Sequence, residues 1–403
     1  MMSAEVANIP DHVPSDRVVD FDFYKMDFGS GDVQQAWKRI QDSSPDIFWT
    51  PHNGGHWVGV RGDIIKEVEL DHEHFSHRQF TIPWMNSPVP ALPLCLDPPE
   101  HAPVRALINP AMSPRALVAL SARAQQVCEE LISKIAEKGE CEFVSEFGSV
   151  LPIEVFLSIV DLPASDREML LPLADVIVRE QDPDVRLQAQ IKVSEYLIGW
   201  IDRRSKEPGE DLISKITQAK VGGQPLSQME VLGLCSLVLI GGLDTVASMM
   251  GFIARFLALH PEHRQQLLDN PDLLEEDRIL EELMRRHALP NTSRYIVSDY
   301  EFRGVSLKAG ENILIPTCLY GLDERIVDNP LEVDFSRPAP IPQAGFGNGP
   351  HRCPGAMLAK REVRIFLKEW LKHIPHFRVK QGTTPKMASG SVNGILKLEL
   401  EWD

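Results

Sequence analysis

Apolar residues recur at three- and four-residue spacing along most of this chain and alternate only in short runs, which predicts a mainly α fold with a smaller β-rich part. The helical rhythm covers 33–40, 63–70 and 115–138, then about 152–162, 166–180, 186–206 and 226–258. Pro208-Gly209 breaks the chain after the 186–206 segment, and Pro261 and Pro271 bound short helices. A further helix covers about 276–287 and stops before Pro290; a last one covers about 355–373. Residues 56–60 follow the Gly54-Gly55 turn as a short strand. Tyr300–Phe302, Val305–Leu307 and 312–315 read as one small antiparallel sheet turning at Gly304 and Gly310, and the C-terminus reads as short strands. Residues 316–345 are loop-rich, and no internal repeat is present.

Two stretches stand outside this rhythm. Residues 1 to about 20 are polar and proline-containing and are expected to be loosely held. Residues 80–100 carry Pro83, Pro88, Pro90, Pro93, Pro98 and Pro99, a density that forbids a long helix. Phe80, Ile82, Trp84, Met85, Val89 and Leu92 are too apolar for a solvated linker, so the segment is expected to be an irregular loop over an active site.

No low-complexity linker divides the 403 residues, so 1–403 is read as a single domain. The six cysteines show no C-x-x-C or zinc spacing and are expected to be reduced thiols, five of them packing residues. A net charge of −17 argues against nucleic acid and anionic membranes as partners. No signal-peptide pattern opens the chain, and the most apolar run, 231–243, is short for a bilayer span. The expectation is a soluble, cytoplasmic monomer.

The chemistry gathers in four places. Cys353 lies in Phe346-Gly347-Asn348-Gly349-Pro350-His351-Arg352-Cys353-Pro354-Gly355, after a glycine-rich turn and before an amphipathic helix. Unpaired N–H groups and the positive helix end at such a place favour a thiolate, a ligand suited to heme iron. The alternative is a buried structural cysteine. Gly241-Gly242-Leu243-Asp244-Thr245 interrupts the longest helix with poor helix formers, and Thr245 can bond a carbonyl one turn back and bend it. The alternative there is a kinked core helix with a satisfied Asp244. Glu282 and Arg285 share a helix face at a spacing of three. His101 and Arg105 stand one turn apart after Asp97-Pro98-Pro99-Glu100.

The ten residues around Cys353 resemble the heme-binding signature F-G-x-G-x-H-x-C-x-G of the cytochromes P-450. The resemblance implies the cytochrome P-450 fold and heme b, with Cys353 as iron ligand and Phe346 and Gly347 at the cofactor. It implies propionate contacts from His101, Arg105, Arg294 and His351, charge-assisted where the donor is cationic. It implies that Asp244 and Thr245 deliver protons, and that Glu282, Arg285 and Arg337 form a buried structural set fixing the cysteine loop. Gly54-Gly55-His56-Trp57, Ser298-Asp299-Tyr300-Glu301-Phe302 and Leu367-Lys368-Glu369-Trp370-Leu371 are similar to the bacterial camphor-hydroxylating branch. That similarity assigns Trp84, Val89, Leu237, Ile240, Gly241 and Val392 to a substrate pocket.

Two departures matter. The branch's camphor-binding tyrosine is replaced by Val89, and no tyrosine occurs between Tyr24 and Tyr196. One lost neutral hydrogen bond is worth roughly 0.5–1.5 kcal/mol, which favours a differently shaped apolar terpenoid or norisoprenoid, ionone-like rather than camphor. Pro354 has no N–H to offer the sulfur. Between Arg352 and Lys372 six basic residues face two acidic ones, read either as a solvated helix face or as a docking patch for an acidic [2Fe-2S] ferredoxin. The resemblance implies electrons from NADH through a reductase and that ferredoxin. A peroxide-using or rearranging heme-thiolate enzyme, a non-catalytic heme sensor and a cysteine hydrolase are the rival readings.

Overall fold

The computed structural model describes residues 6–403. The most apolar helical segment becomes two helices, Gln228–Leu243 and Thr245–Leu259, joined at Asp244. A capping box of Ser227 and Glu230 starts the first. The 231–243 run was expected to be too short for a membrane; joined as Gln228–Leu259 the pair is long and apolar enough to cross one. In the fold it is a core element. It packs against helices Val150–Val160, Pro183–Lys206 and Ala356–His373, and the second helix buries Met250, Phe252, Ile253 and Ala254.

Around this pair lie Pro114–Ile135, Val150–Val160, Arg167–Arg179, Pro183–Lys206, Asp277–Arg286 and Ala356–His373. Leu117, Leu120, Ala124, Cys128, Leu131 and Ile135 form the buried stripe of Pro114–Ile135, at the spacing that a single apolar face demands. Ser113 caps that helix and Pro114 occupies its first turn.

The sheets differ from the sequence expectation. Tyr300–Phe302 pairs only with Val305–Leu307 as a hairpin. Asn312–Pro316 leaves it for the middle of a five-stranded sheet, antiparallel to Asn291–Ile296 and parallel to His56–Gly59. Its buried Ile313, Leu314 and Ile315 suit a strand covered on both faces, not a hairpin edge. Ile47–Thr50 and Phe75–Ser76 complete that sheet at its two edges.

The amino-terminal segment is not loose over its described part. Val13 is buried, Ala7 N–H donates to Pro51 O, Val19 N–H donates to Trp49 O, and Val18 bridges to Trp49. Residues 1–5 lie outside the described residues. Residues 80–100 contain neither helix nor strand, as the prolines require. Tyr24 Oη donates to Ile82 O (2.9 Å), and Arg186 donates to Pro83 O (3.0 Å) and to Thr81 Oγ1 (2.9 Å). Pro90 lies directly on Gly233 of the long helix.

Candidate active site

Cys353 ends a turn that only glycine builds cheaply: Gly347 and Gly349 have φ of +69° and +66°. Its N–H donates to Phe346 O (2.8 Å), closing the turn on itself. The helix starts at Ala356, and the N–H groups of Gly355 and Ala356 serve the sulfur. Cys353 is exposed, but the surface faces an interior cavity and protein surrounds the thiol. Burial therefore wins: it pushes the thiol pKa up, against the N–H groups, Arg105 and Arg352. The helix start favours the thiolate as expected, but burial outweighs it. A coordinated metal cation would supply the missing charge, since it deprotonates a coordinating thiol outright.

The cavity is about 740 Å³ and is lined mainly by apolar groups. The broken helix lines the same cavity as Cys353. Nothing lies within 4 Å of where a Gly241 Cβ would sit, while a Gly242 Cβ would meet Phe156 at 2.1 Å. One glycine thus keeps space open and its neighbour permits close packing. Thr245 Oγ1 donates to Gly241 O at 3.1 Å, holding the bend. Asp244 is not free to solvent: Arg179 donates to both its carboxylate oxygens, through Nη1 at 2.8 Å and through Nη2. Arg179 also bonds Asp175 and Ser248. Burial lowers the Arg179 pKa, but the two carboxylates overcome it and raise it.

A donor-rich corner flanks the same cavity. Arg294, 2% exposed, spends Nη1 on Thr292 Oγ1 and Ser293 O, and its Nε has no partner. Burial lowers its pKa to about 10, against the pull of Glu69 and Asp97. His101 leaves Nε2 unpaired, and His351 leaves both ring nitrogens unpaired. The His351 ring lies 4.3 Å from that of His101 and 3.5 Å from that of His77, whose nitrogens are also unpaired. Burial, with the neighbouring charges, takes His351 to about 3 and His77 well below its usual value. Arg105 adds a second guanidinium, donating to Arg352 O. Orphaned donors beside unsatisfied arginine are costly unless acidic groups meet them. The carboxylates of a heme fit this corner, and Phe346, Gly347 and Gly355 leave room for a flat ring above Cys353.

Trp84, Val89, Leu237, Ile240, Gly241 and Val392 all line this cavity, as do Asp244, Thr245, His101, Arg105, Arg294, Phe346, Gly347, His351 and Cys353. Among the polar exceptions are Gln190 and Ser236. Glu282, Arg285 and Arg337 lie outside it. Arg285 Nε and Nη2 each donate to Glu282 at 2.8 Å, and Arg337 Nε donates to it at 3.1 Å. Arg285 also holds the carbonyls of Gly321, Pro330 and Glu332. The set ties down 321–337; the cysteine loop reaches the same helix separately, where a Cβ at Gly345 would stand 3.7 Å from Met284 O.

Three residues at the site escaped the sequence reading. His77 and Glu69 carry no local signal. Glu362 did: with Leu358 and Phe366 it follows a spacing of four onto the apolar helix face. It is 2% exposed, its Oε1 is unpaired, and burial raises its pKa well above the usual carboxylate range. The basic patch is smaller than its count. Lys360 pairs with Glu281, Arg364 with Asp277, Lys368 with Glu275 and Lys372 with Glu369, while Arg361 bonds Leu117 O and Ser121.

A sequence model of the family described as Cytochrome P450 matches residues 200–401. The chain is 34% identical to Probable cytochrome P450 127A1 of Sinorhizobium fredii (strain NBRC 101917 / NGR234), over 98% of this chain and 97% of that protein. It is 31% identical to Mycinamicin IV hydroxylase/epoxidase of Micromonospora griseorubida, over 77% of this chain and 79% of that one. The crystal structure of CYP101J2 superposes with a TM-score of 0.88 at 37% identity, covering 98% of this chain and all (100%) of that one. That of CYP101C1 gives 0.87 at 36%, with the same coverage of 98% and 100%. The chain belongs to the cytochrome P450 family, the heme monooxygenases. Within it, this is a bacterial-type member resembling the CYP101 branch.

Proposed function

We propose that this enzyme hydroxylates a small apolar terpenoid or norisoprenoid, ionone-like rather than camphor. Dioxygen is the oxidant, and electrons come from NADH through a reductase and a [2Fe-2S] ferredoxin. The observation that carries the reading is that Cys353, Thr245 and an apolar lining without any tyrosine share one cavity. Heme b, when bound, supplies iron for dioxygen reduction and cleavage, and a thiolate ligand promotes that cleavage by donating electron density.

The chain's own work is binding, orientation and proton supply. Cys353 Sγ would ligate the iron, with the Gly355 and Ala356 N–H groups limiting its charge. Arg294, Arg105, His101 and His351 would hold the heme carboxylates, with Phe346 and Gly347 against the ring. Thr245 Oγ1–H stands beside the open space at Gly241 as a proton donor, and Asp244, once it leaves Arg179 and takes a proton from solvent, can replenish it. The 80–96 loop covers the cavity and excludes water, which strengthens every electrostatic contact inside. Burial of the Gln228–Leu259 pair in the core supports a soluble enzyme. A ferredoxin approaching beside Cys353 would meet Arg352 and exposed Met357, rather than six free cations.

The test is the ferric Soret shift on titration with β-ionone and, separately, camphor. A shift with the enone and none with camphor is expected. A strong camphor shift would mean another group replaces the missing tyrosine and would overturn the substrate reading.

A further inference from the structure

Outside the lining of the cavity, the corner between helices Thr245–Leu259 and Pro261–Asp269 gathers His260, Glu262 and His263, whose ligand atoms lie within 4.8 Å of one another. His260 Nδ1 is 3.1 Å from Glu262 Oε1, and His263 Nδ1 is 3.2 Å from the same oxygen. His263 Nε2 lies 2.8 Å from Val333 O. A carbonyl only accepts, so Nε2 carries the hydrogen. In a neutral ring this leaves the Nδ1 lone pair facing a carboxylate oxygen. Something positive must lie between them: either a second ring proton or a cation.

Two features favour the cation. A metal-binding histidine characteristically donates its other ring N–H to a carbonyl or carboxylate, which fixes the tautomer as Val333 does here. Zinc bonds of 2.0–2.1 Å in a tetrahedron put ligand atoms about 3.3–3.4 Å apart, and the two observed spacings fall just inside that. Phe256 holds both rings, stacked on His260 at 4.5 Å and edge-on to His263 at 5.1 Å. His260 and Glu262 are exposed, so an ion has a path in.

We propose that His260 Nδ1, Glu262 Oε1 and His263 Nδ1 form a surface site for a divalent transition cation, zinc above all, with water completing the shell. Through Val333 the ion braces the loop whose next residue, Asp334, donates its N–H to Glu282. The test is isothermal titration of chelator-treated holoenzyme with zinc chloride, followed by thermal unfolding with and without zinc. His260→Asn and Glu262→Gln sit at the surface and spare the Val333 bond, so both variants are expected to fold and retain heme. Wild type should bind one equivalent and melt higher with zinc; each variant should bind at least about tenfold more weakly and lose the melting shift. Absent binding, or binding that either variant leaves unchanged, would overturn the proposal and assign the contact to a protonated His263.

Discussion

Gly233→Ala isolates the closure of the proline-rich loop over the cavity. A Cβ at Gly233 would stand 2.1 Å from Pro90 O and 3.3 Å from Pro90 C. Cβ contacts below 3.0 Å essentially never occur, so loop and helix must separate by about 1 Å. The helix is buried in the core, whereas residues 80–100 have no ladder of hydrogen bonds, so the loop yields. Overpacking of this kind costs roughly 1–3 kcal/mol. Charged against the closed loop, that lowers its population relative to open forms by about 5- to 150-fold. The three bonds from Tyr24 and Arg186 to Thr81, Ile82 and Pro83 anchor the near end of the loop, so displacement should centre on 88–92. The assay is the β-ionone Soret titration with heme content checked, beside amide hydrogen exchange across 80–96. We expect binding weaker by about fivefold or more, faster exchange and unchanged heme. Gly199→Ala, with nothing within 4 Å of its Cβ, is the control and should leave binding alone. Wild-type affinity and exchange in Gly233→Ala would refute the claim that this contact closes the site.

Three further outcomes follow from buried charge. Glu282→Gln leaves Arg285, fully buried, without its carboxylate, and should cost about 3–5 kcal/mol in urea unfolding; near-wild-type stability would mean that the three carbonyl contacts suffice to hold the buried charge. His56 is buried with both ring nitrogens unpaired, and burial lowers its pKa to about 4. The unfolded chain binds its proton below about 6.5 and the folded chain only near 4, so stability should fall as pH drops through that window, by on the order of 3 kcal/mol. His56→Gln should flatten that slope, and an unchanged slope would assign it to other groups. Pro354→Leu adds an N–H beside the sulfur and should raise the heme reduction potential; no upward shift would show that Gly355 and Ala356 already saturate the sulfur.

Local chemistry was legible in the sequence and distant pairing was not. The turn glycines, Cys353 and the bend at Asp244-Thr245 depend on a few adjacent residues, and Leu117 to Ile135 show their buried stripe directly. Asn291–Ile296 was missed because Asn, Thr, Ser and Arg give it no apolar alternation; its neighbours supply its order. Asn312–Pro316 was given to the wrong sheet because its parallel partner lies about 250 residues earlier, a pairing that no local pattern encodes. Nothing in the local sequence signals that Arg179, 65 residues away, holds Asp244 as its counter-charge. The basic helix face read as a free patch because Glu275, Asp277 and Glu281 reach it from another part of the chain.

The account stands on Cys353 as the residue that would ligate heme iron, in a cavity shared with Thr245. The direct measurement is the absorption spectrum of the reduced, carbon monoxide-bound protein, wild type against Cys353→His. Wild type should show the strongly red-shifted Soret band of a thiolate ligand, and the variant, still holding heme, should show the ordinary histidine-ligated band. A red-shifted band that survives in Cys353→His, or a wild type without it, would contradict the assignment.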